Sequence, residues 1–475
     1  MPLCLCGYFL VVEVAGKKVL VVGAARSGIA CARFLAARGA VVALNDRKPL
    51  EEWPDDAAEL KANGVGLIAG DAPSWLLDQV ELVVLSPGVP TKSITARYAD
   101  RAGAEVIGEV ELASRFLRGR IIGITGTNGK TTTTTLIGEL LKGAGINAQV
   151  GGNIGTPLIS LVESSREDGW TVAELSSFQL ETIVDFHPQI AVCLNVTPNH
   201  MDRYELFSDY AAAKHRIFRN QTSGDVAILN ADDETTATWA QGLRAHVVWF
   251  SVQHELEEGL LLRNEQGDLV SRTRDGERTL LTRDEMHLRG RHNIENVLAA
   301  LAAGLAAGCA PDSMRETIQK FRPVEHRLER VALIDGVTFY NDSKATSVDA
   351  TLKALEAFAE DEGQIVLILG GRGKHAPYAP LAKLVREKVR RLILIGEDAD
   401  TIERELKNDA EIERATDMPD AVRRAHDAAQ PFDVVLLAPA CASFDMFRSF
   451  EHRGEMFKEE VMKLKNSGDR SQKTE

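Results

Sequence analysis

Short apolar runs alternate with longer stretches rich in Ala, Leu and Arg along nearly the whole chain. The runs include Lys17–Val22, Val41–Leu44, Leu82–Leu85, Trp170–Ala173, Ile190–Leu194, Val337–Tyr340, Val366–Gly371, Leu392–Gly396 and Val434–Leu437. Each is followed by a turn and then, in most cases, a segment with helical periodicity, such as Ile29–Arg38 after the Gly23–Gly28 turn. That alternation predicts an α/β chain with mostly parallel sheets. Three such modules follow one another. They predict a Rossmann-like domain over 1–108, a central P-loop ATPase-like domain over 109–323 and a Rossmann-like C-terminal domain over 324–475. The polar stretch 253–285 reads as an irregular or short-stranded excursion, and the tail Asn466–Glu475 as a fraying end.

The most informative segment is Ile121 to Thr132. A β-branched apolar run enters Gly126-Thr127-Asn128-Gly129-Lys130-Thr131, and a helical segment from Thr132 to Leu141 follows. Strand, glycine-rich loop and helix in that order suit a phosphate: backbone N–H groups converge, a lysine meets the phosphates, and a hydroxyl can face Mg²⁺. Ile124 stands where the common pattern has glycine, so an ordinary βα turn with a solvent-facing lysine stays open. Glu174 and His200 follow later strand-like runs, where ligands of open α/β sheets sit, and both are potential metal ligands. Taken singly, each is equally a surface cap or a satisfied histidine. Lys214 lies in a helical run, and an ammonium cannot ligate Mg²⁺ unless its charge is changed. Asn293 and Asn296 open an apolar helix expected over Val297–Ala307; they suit either N-terminal capping or contact with a base. Asp342 and Lys344, Arg372 to Lys374, and Ser443 to Asp445 lie on turns after three strands of one domain, which suggests one binding edge.

Composition narrows the setting. At 475 residues with 44% hydrophobic content the chain exceeds one ordinary core. A net charge of -14 argues against nucleic-acid binding and requires any anionic substrate to be met by locally gathered cations. Six scattered cysteines form no paired zinc spacing and fit a reducing cytoplasm. The apolar run 3–12 is too short to span a bilayer and reads as an ill-defined start or an extra edge strand. The first turn lacks the middle glycine of a dinucleotide fingerprint, although Asp46 stands near the usual distance for a ribose.

Together Thr125–Thr131, Gly151-Gly152-Asn153-Ile154-Gly155, Glu174-Leu175-Ser176-Ser177, His200–Tyr204, His292-Asn293 with Asn296, and His326-Arg327 resemble the Mur ligases, from about residue 15 to 460. These are ATP-dependent amide-forming enzymes of peptidoglycan precursor synthesis. The runs Asn341–Thr346 and Ala438–Ser443 resemble the member that adds D-glutamate to UDP-N-acetylmuramoyl-L-alanine. Ala438 and Phe444 depart from the usual serine and leucine. The resemblance implies that Gly126, Thr127, Asn128, Gly129, Lys130, Thr131 and Thr132 hold the ATP phosphates, and that Asn293, Asn296, Arg327 and Asp342 contact the nucleotide. It implies two Mg²⁺ ions, one on Thr131 and Glu174, the other on His200 and a carbamylated Lys214, with Lys130, Glu174, His200 and Lys214 catalytic. Arg26, Ser27, Asp46, Arg47, Ser86, Asn153 and His200 would bind the UDP substrate. Lys344, Thr346, Lys374, Ser443, Phe444 and Phe450 would bind D-glutamate. It further implies a cytoplasmic monomer without nucleic-acid or membrane partners. The alternatives are a sister ligase with another amino acid, a folylpolyglutamate synthase-like ligase, a nicotinamide oxidoreductase and a non-catalytic nucleotide-binding module. The Asn341–Thr346 run weighs against the first two, the missing middle glycine against the third, and the retained Lys130, Glu174, His200 and Lys214 against the last.

Overall fold

Three sheets follow one another along the chain in this computed structural model. It describes residues 13–471 except 55, 154, 202, 264–266, 289, 323–324, 359–362 and 374–375. The apolar start at 3–12 and the boundary expected at 323/324 therefore lie outside the described residues. The first sheet comprises β1 (Lys18–Val22), β2 (Val41–Asp46), β3 (Gly66–Ala69), β4 (Leu82–Leu85) and β5 (Glu105–Gly108). They run parallel in the order β3-β2-β1-β4-β5. The order reverses beside β1, which opens a crevice at the carboxyl ends of β1 and β4. β4 is buried at every position, which explains its unbroken apolar run.

The second sheet comprises β6 (Arg120–Thr125), β7 (Ala148–Gly152), β8 (Trp170–Glu174), β9 (Ile190–Cys193), β10 (Val226–Asn230), β11 (His246–Ser251), β12 (Gly259–Arg263), β13 (Asp268–Thr273) and β14 (Gly276–Thr282). Its order is β14-β13-β12-β11-β10-β9-β6-β8-β7. The polar stretch 253–285 is short-stranded, the second of its two expected forms. It supplies β12, β13 and β14, whose antiparallel pairs extend one edge of the parallel sheet. These strands are only part-buried, so their apolar signal is weak.

The third sheet comprises β15 (Glu329–Ile334), β16 (Val337–Asn341), β17 (Ile365–Gly370), β18 (Val389–Ile395), β19 (Glu411–Arg414) and β20 (Val434–Leu437), ordered β15-β16-β20-β17-β18-β19. All its pairs are parallel except β15 with β16. Of the tail expected to fray, residues 466–471 continue the helix that begins at Phe450, and 472–475 lie outside the described residues. The first two sheets belong to one compact unit (Met1–Thr282 with Asn296–Ile318), and the third sheet to a second (Arg283–Glu295 with Gln319–Glu475).

Helices also begin earlier than the apolar periodicity indicates. The helix after β1 runs from Arg26 to Ala37, so Ser27 and Gly28 lie in its first turn rather than in a loop. Polar and small residues in a first turn carry no apolar signal, and that hides the start. Gly28 permits the arrangement, because a Cβ there would lie 1.8 Å from the Gly23 carbonyl oxygen. Gly28→Ala should therefore lower unfolding free energy by about 1–3 kcal/mol through overpacking against backbone. Denaturant unfolding of the variant measures this; unchanged stability would show that the turn accommodates a Cβ.

Candidate active site

The phosphate-type loop joins β6 to the helix Lys130–Gly143. Gly126 and Gly129 both have positive φ (149° and 84°), and a Cβ on Gly129 would meet Asn296 Oδ1 at 2.1 Å. Neither position would accept another residue without strain. The loop is pinned by Asn195: its Oδ1 accepts the Asn128 N–H at 2.8 Å, and its carbonyl accepts the Thr127 N–H at 2.9 Å. Thr131 and Thr132 are buried in the first helical turn. Lys130 Nζ folds back and donates to the carbonyls of Gly126 (2.9 Å) and Thr127 (2.8 Å).

Lys214 is drawn to the same place. Its helix, Phe207–His215, brings Nζ within 2.7 Å of the Gly126 carbonyl and 4.6 Å of the Tyr210 ring centroid. Two lysine amines thus share one carbonyl oxygen. Lys214 is 1% exposed. Burial, and then the neighbouring Lys130 charge, push its pKa well below the ordinary lysine range. A neutral amine is the form that burial favours here.

Glu174 ends β8, next to β6 in the sheet. Its Oε1 accepts from Asn153 Nδ2 at 2.9 Å. Its Oε2 is buried and has no hydrogen-bond partner. A buried carboxylate oxygen in that state is costly unless a cation meets it. Among donors present, that fits a hard metal ion and places Asn153 as the group orienting the carboxylate.

His200 follows β9 in a left-handed backbone conformation (φ 55°). Its carbonyl accepts the N–H groups of Arg203 (2.9 Å) and Tyr204 (3.1 Å). Its ring meets Phe178 edge-on at 4.9 Å. Glu181 grips this turn: Oε2 accepts from Arg203 at 3.1 Å, and Oε1 accepts from the Tyr204 hydroxyl. Asn195, Tyr210, Glu181 and Arg203 are structural parts of the site to which the sequence reading assigned no role. Arg203 lies within the His200–Tyr204 run and Asn195 directly follows the Ile190–Leu194 run, but spacing alone does not tell a loop-pinning side chain from a ligand-binding one.

Asn293 and Asn296 lie inside a helix running from Arg291 to Ala306, which begins before the expected Val297. Neither is therefore an N-cap. Asn296 Oδ1 accepts from Thr133 Oγ1 at 3.3 Å.

The crevice in the first sheet is a cleft of about 780 Å³ lined by Arg26, Ser27, Asp46, Arg47 and Ser86, among others. That volume suits a small-molecule ligand. Asp46 ends β2, so the strand runs past the expected Leu44. Its two oxygens accept the backbone N–H groups of Ala24 (2.8 Å) and Lys48 (3.0 Å), so it shapes the turn as well as lining the cleft. Ser86 Oγ donates to the Gly23 carbonyl at 2.9 Å. Arg26 donates to the Gly155 carbonyl at 2.7 Å, near Asn153.

In the third sheet β16, β20 and β17 are neighbours, so their three polar turns stand side by side. The Ala440 N–H donates to the Ala345 carbonyl, the Gly370 N–H to the Pro439 carbonyl, and Arg372 and Ala442 form a bridge. Arg453, which no sequence pattern marked, ties two turns together while wholly buried. It donates to Ser343 Oγ (3.0 Å), Ser343 carbonyl (2.8 Å) and Cys441 carbonyl (3.2 Å), and burial lowers its pKa to about 10. Lys344 Nζ lies 5.1 Å from the Phe450 ring centroid, and the Phe450 carbonyl accepts from Ser343 Oγ at 2.7 Å. Ser443 is buried and Phe444 is 65% exposed. The Thr346 N–H donates to the Lys344 carbonyl. Lys374 lies outside the described residues. Asp342 is buried, and desolvation raises its pKa to about 7 against the opposing pull of Arg327.

Comparison with known proteins agrees with this architecture. Family models match in chain order: "Mur ligase MurD-like, N-terminal domain" over residues 17–108, "Mur ligase middle domain" over 124–304 and "Mur ligase, glutamate ligase domain" over 326–441. A UDP-N-acetylmuramoylalanine--D-glutamate ligase of Koribacter versatilis is 47% identical over 95% of this chain and 98% of its own length. Proteins of the same name from Solibacter usitatus and Pelotomaculum thermopropionicum are 49% and 48% identical, each over 94% of this chain and 98% of its own. Among solved structures, a UDP-N-acetylmuramate-alanine ligase of Thermotoga maritima shares the fold with TM-score 0.57 and 19% identity, covering 94% of this chain and 99% of its own. A pseudomurein peptide ligase type C of Methanothermus fervidus does so with TM-score 0.59 and 17% identity, covering 94% and 100%. With a loop that gathers two lysine amines beside a bare carboxylate oxygen, and with all three domain models matched in order, the chain belongs to the Mur ligase family.

Proposed function

We propose that this chain is the ATP-dependent ligase that joins D-glutamate to UDP-N-acetylmuramoyl-L-alanine in peptidoglycan precursor synthesis. The relatives at 47–49% identity carry the choice of substrates. One observation carries the chemistry: the Lys130 and Lys214 amines converge on the Gly126 carbonyl. The Lys130 ammonium and the loop N–H groups favour a polyanion there, while the buried Lys214 amine, neutral at rest, is the form that can take up CO₂.

In this reading the L-alanyl carboxylate attacks the γ-phosphate of ATP, releasing ADP and forming an acyl phosphate. The amine of D-glutamate then attacks the acyl carbon and expels phosphate. Lys130 and the loop N–H groups of residues 126–132 stabilise charge on the transferring phosphoryl group. Asn296, beside Gly129, lies where it can contact the nucleotide. Mg²⁺, when bound, supplies Lewis-acid stabilisation of phosphate charge. Thr131 and Glu174 are the residues that would hold one ion, and the bare Glu174 Oε2 supports that assignment. His200 and a carbamylated Lys214 would hold another. Carbamylation needs an uncharged amine, and burial of Lys214 favours that form.

The cleft lined by Arg26, Ser27, Asp46, Arg47 and Ser86 takes the UDP group, and Asn153 and His200 the muramoyl part. Lys344, Thr346, Ser443, Phe444 and Phe450, with Lys374, are assigned to D-glutamate. The functional domains divide near 108/109 and 323/324, and the protein acts as a cytoplasmic monomer. Among the described residues no helix is long and apolar enough to cross a membrane.

Incubating the protein with ATP, Mg²⁺, UDP-N-acetylmuramoyl-L-alanine and D-glutamate should yield ADP, phosphate and the dipeptidyl product. L-Glutamate should fail, because inversion at Cα moves the amine away from the acyl phosphate. Phosphate release without product, or equal use of both enantiomers, would sink the reading. Lys130→Ala should cost about 100-fold or more in turnover while the fold persists; near-normal turnover would contradict its role. For Lys214, a carbamate resonance in ¹³C-bicarbonate NMR should appear in active protein and vanish in Lys214→Ala. That variant should be nearly inactive and partly restored by short carboxylic acids. Active enzyme showing only unmodified lysine would reject the carbamate.

A further inference from the structure

We infer that Arg203, clamped by Glu181, is a positioning residue that links the nucleotide cleft of the first sheet to His200 of the second, an inference that rests on the ligase reading for what fills the cleft. Three contacts of one guanidinium carry it. One nitrogen donates to the Pro87 carbonyl at 3.2 Å, and Pro87 lines the cleft. Another donates to Glu181 Oε2 at 3.1 Å. The guanidinium carbon lies 3.9 Å from the Phe178 ring centroid. Phe178 in turn packs edge-on against the His200 ring. A planar, forked cation can make all three contacts at once, and a lysine cannot.

Glu181 completes the link from the other side. Its Oε2 also accepts from Thr91 Oγ1 at 3.5 Å, on the loop that continues from the cleft turn. Its Oε1 accepts from the Tyr204 hydroxyl. Arg203 and Tyr204 are the residues whose N–H groups close the turn on the His200 carbonyl. The left-handed backbone of His200 is therefore held by two residues that both end on one carboxylate. Both members of the ion pair are mostly buried, with 17% of each side chain exposed, so the pair is not a solvent-screened surface contact. A nucleotide that settles the Ser86–Pro90 turn thereby settles the His200 turn too.

The test pairs kinetics with a spectroscopic readout that does not need turnover. Arg203→Ala should lower kcat by about tenfold to a hundredfold, the cost of misplaced reacting groups. It should leave the KM for D-glutamate within about twofold, and Arg203→Lys should recover only part of the loss. Separately, the His200 imidazole is followed by long-range ¹H–¹⁵N NMR, assigned by the loss of its signals in His200→Gln, while UDP alone is added. UDP should shift the His200 signals in the wild-type protein and not in Arg203→Ala, although UDP still binds the variant by calorimetry. Equal shifts in both proteins, or none in the wild type, would overturn the link. So would an Arg203→Ala protein that loses only thermal stability and keeps kcat. If the wild type makes no product yet shows the Arg203-dependent shift, the ligase reading fails and the link stands.

Discussion

Two amines on one carbonyl oxygen is the constraint around which the central domain is organised. Gly126 can offer its carbonyl to both Lys130 and Lys214 because its φ of 149° is open to glycine and closed to most other residues. Like charges that close repel strongly in a poorly hydrated site. Loss of the Lys214 proton relieves that repulsion, and the Lys214 pKa is lowered first by burial and then by the Lys130 charge. An anion bridging the amines relieves it as well. With Lys214 neutral, Lys130 is left as the charged member of the pair.

Elsewhere the chain satisfies buried charge largely with backbone groups, with or without a counter-ion. Arg453 spends its guanidinium on carbonyls and a hydroxyl of two turns. Glu111, fully buried, accepts the N–H groups of Val184, Asp185 and Phe186 and pairs with Arg115. Such groups are expensive to strand, so each fixes a loop as firmly as a stretch of sheet would. The turns after β16 and β20 carry no ladder of their own, and Arg453 replaces it, while Glu111 holds the segment that leads into β9.

Much of this was legible in the sequence, for definite reasons. Parallel strands such as β4 and β17 are buried at every position and leave unbroken apolar runs, so the α/β class and the post-strand turns could be read directly. The strand–loop–helix order around Gly126–Lys130 could be read because glycine positions and a following helical segment carry it. Other features left no trace. β12 to β14 are half-exposed and polar, so the sequence could not decide between short strands and irregular chain there. The helix at Arg291 begins with polar residues, so the apolar periodicity marks its start too late and leaves capping by Asn293 and Asn296 open beside contact with a base. Arg453 bonds Ser343, 110 residues away, and Glu181 bonds Arg203, 22 residues away, and no local period encodes such pairings.

Backbone strain separates loops shaped by topology from loops shaped for chemistry. Six non-glycine residues among those described have positive φ: His200, His326, Leu328, Asp335, Phe432 and Ala440. Asp335 needs no functional reason, since with Gly336 it turns the β15–β16 hairpin, and Phe432 closes onto that turn through the Gly336 carbonyl. His200 and Ala440 instead follow the carboxyl ends of β9 and β20, and His326 and Leu328 flank Arg327. Such conformations cost about 1–3 kcal/mol each and persist only when surroundings over-determine them. Each of the first three has such support: Arg203 and Tyr204 N–H groups on the His200 carbonyl, Glu329 Oε2 on the His326 N–H, and the Ala345 carbonyl on the Ala440 N–H. The residues held at that cost lie in the same loops that carry the candidate chemistry. A side chain on a strained, over-determined backbone has little freedom to relax away from its partner, and positioned catalytic groups require that property.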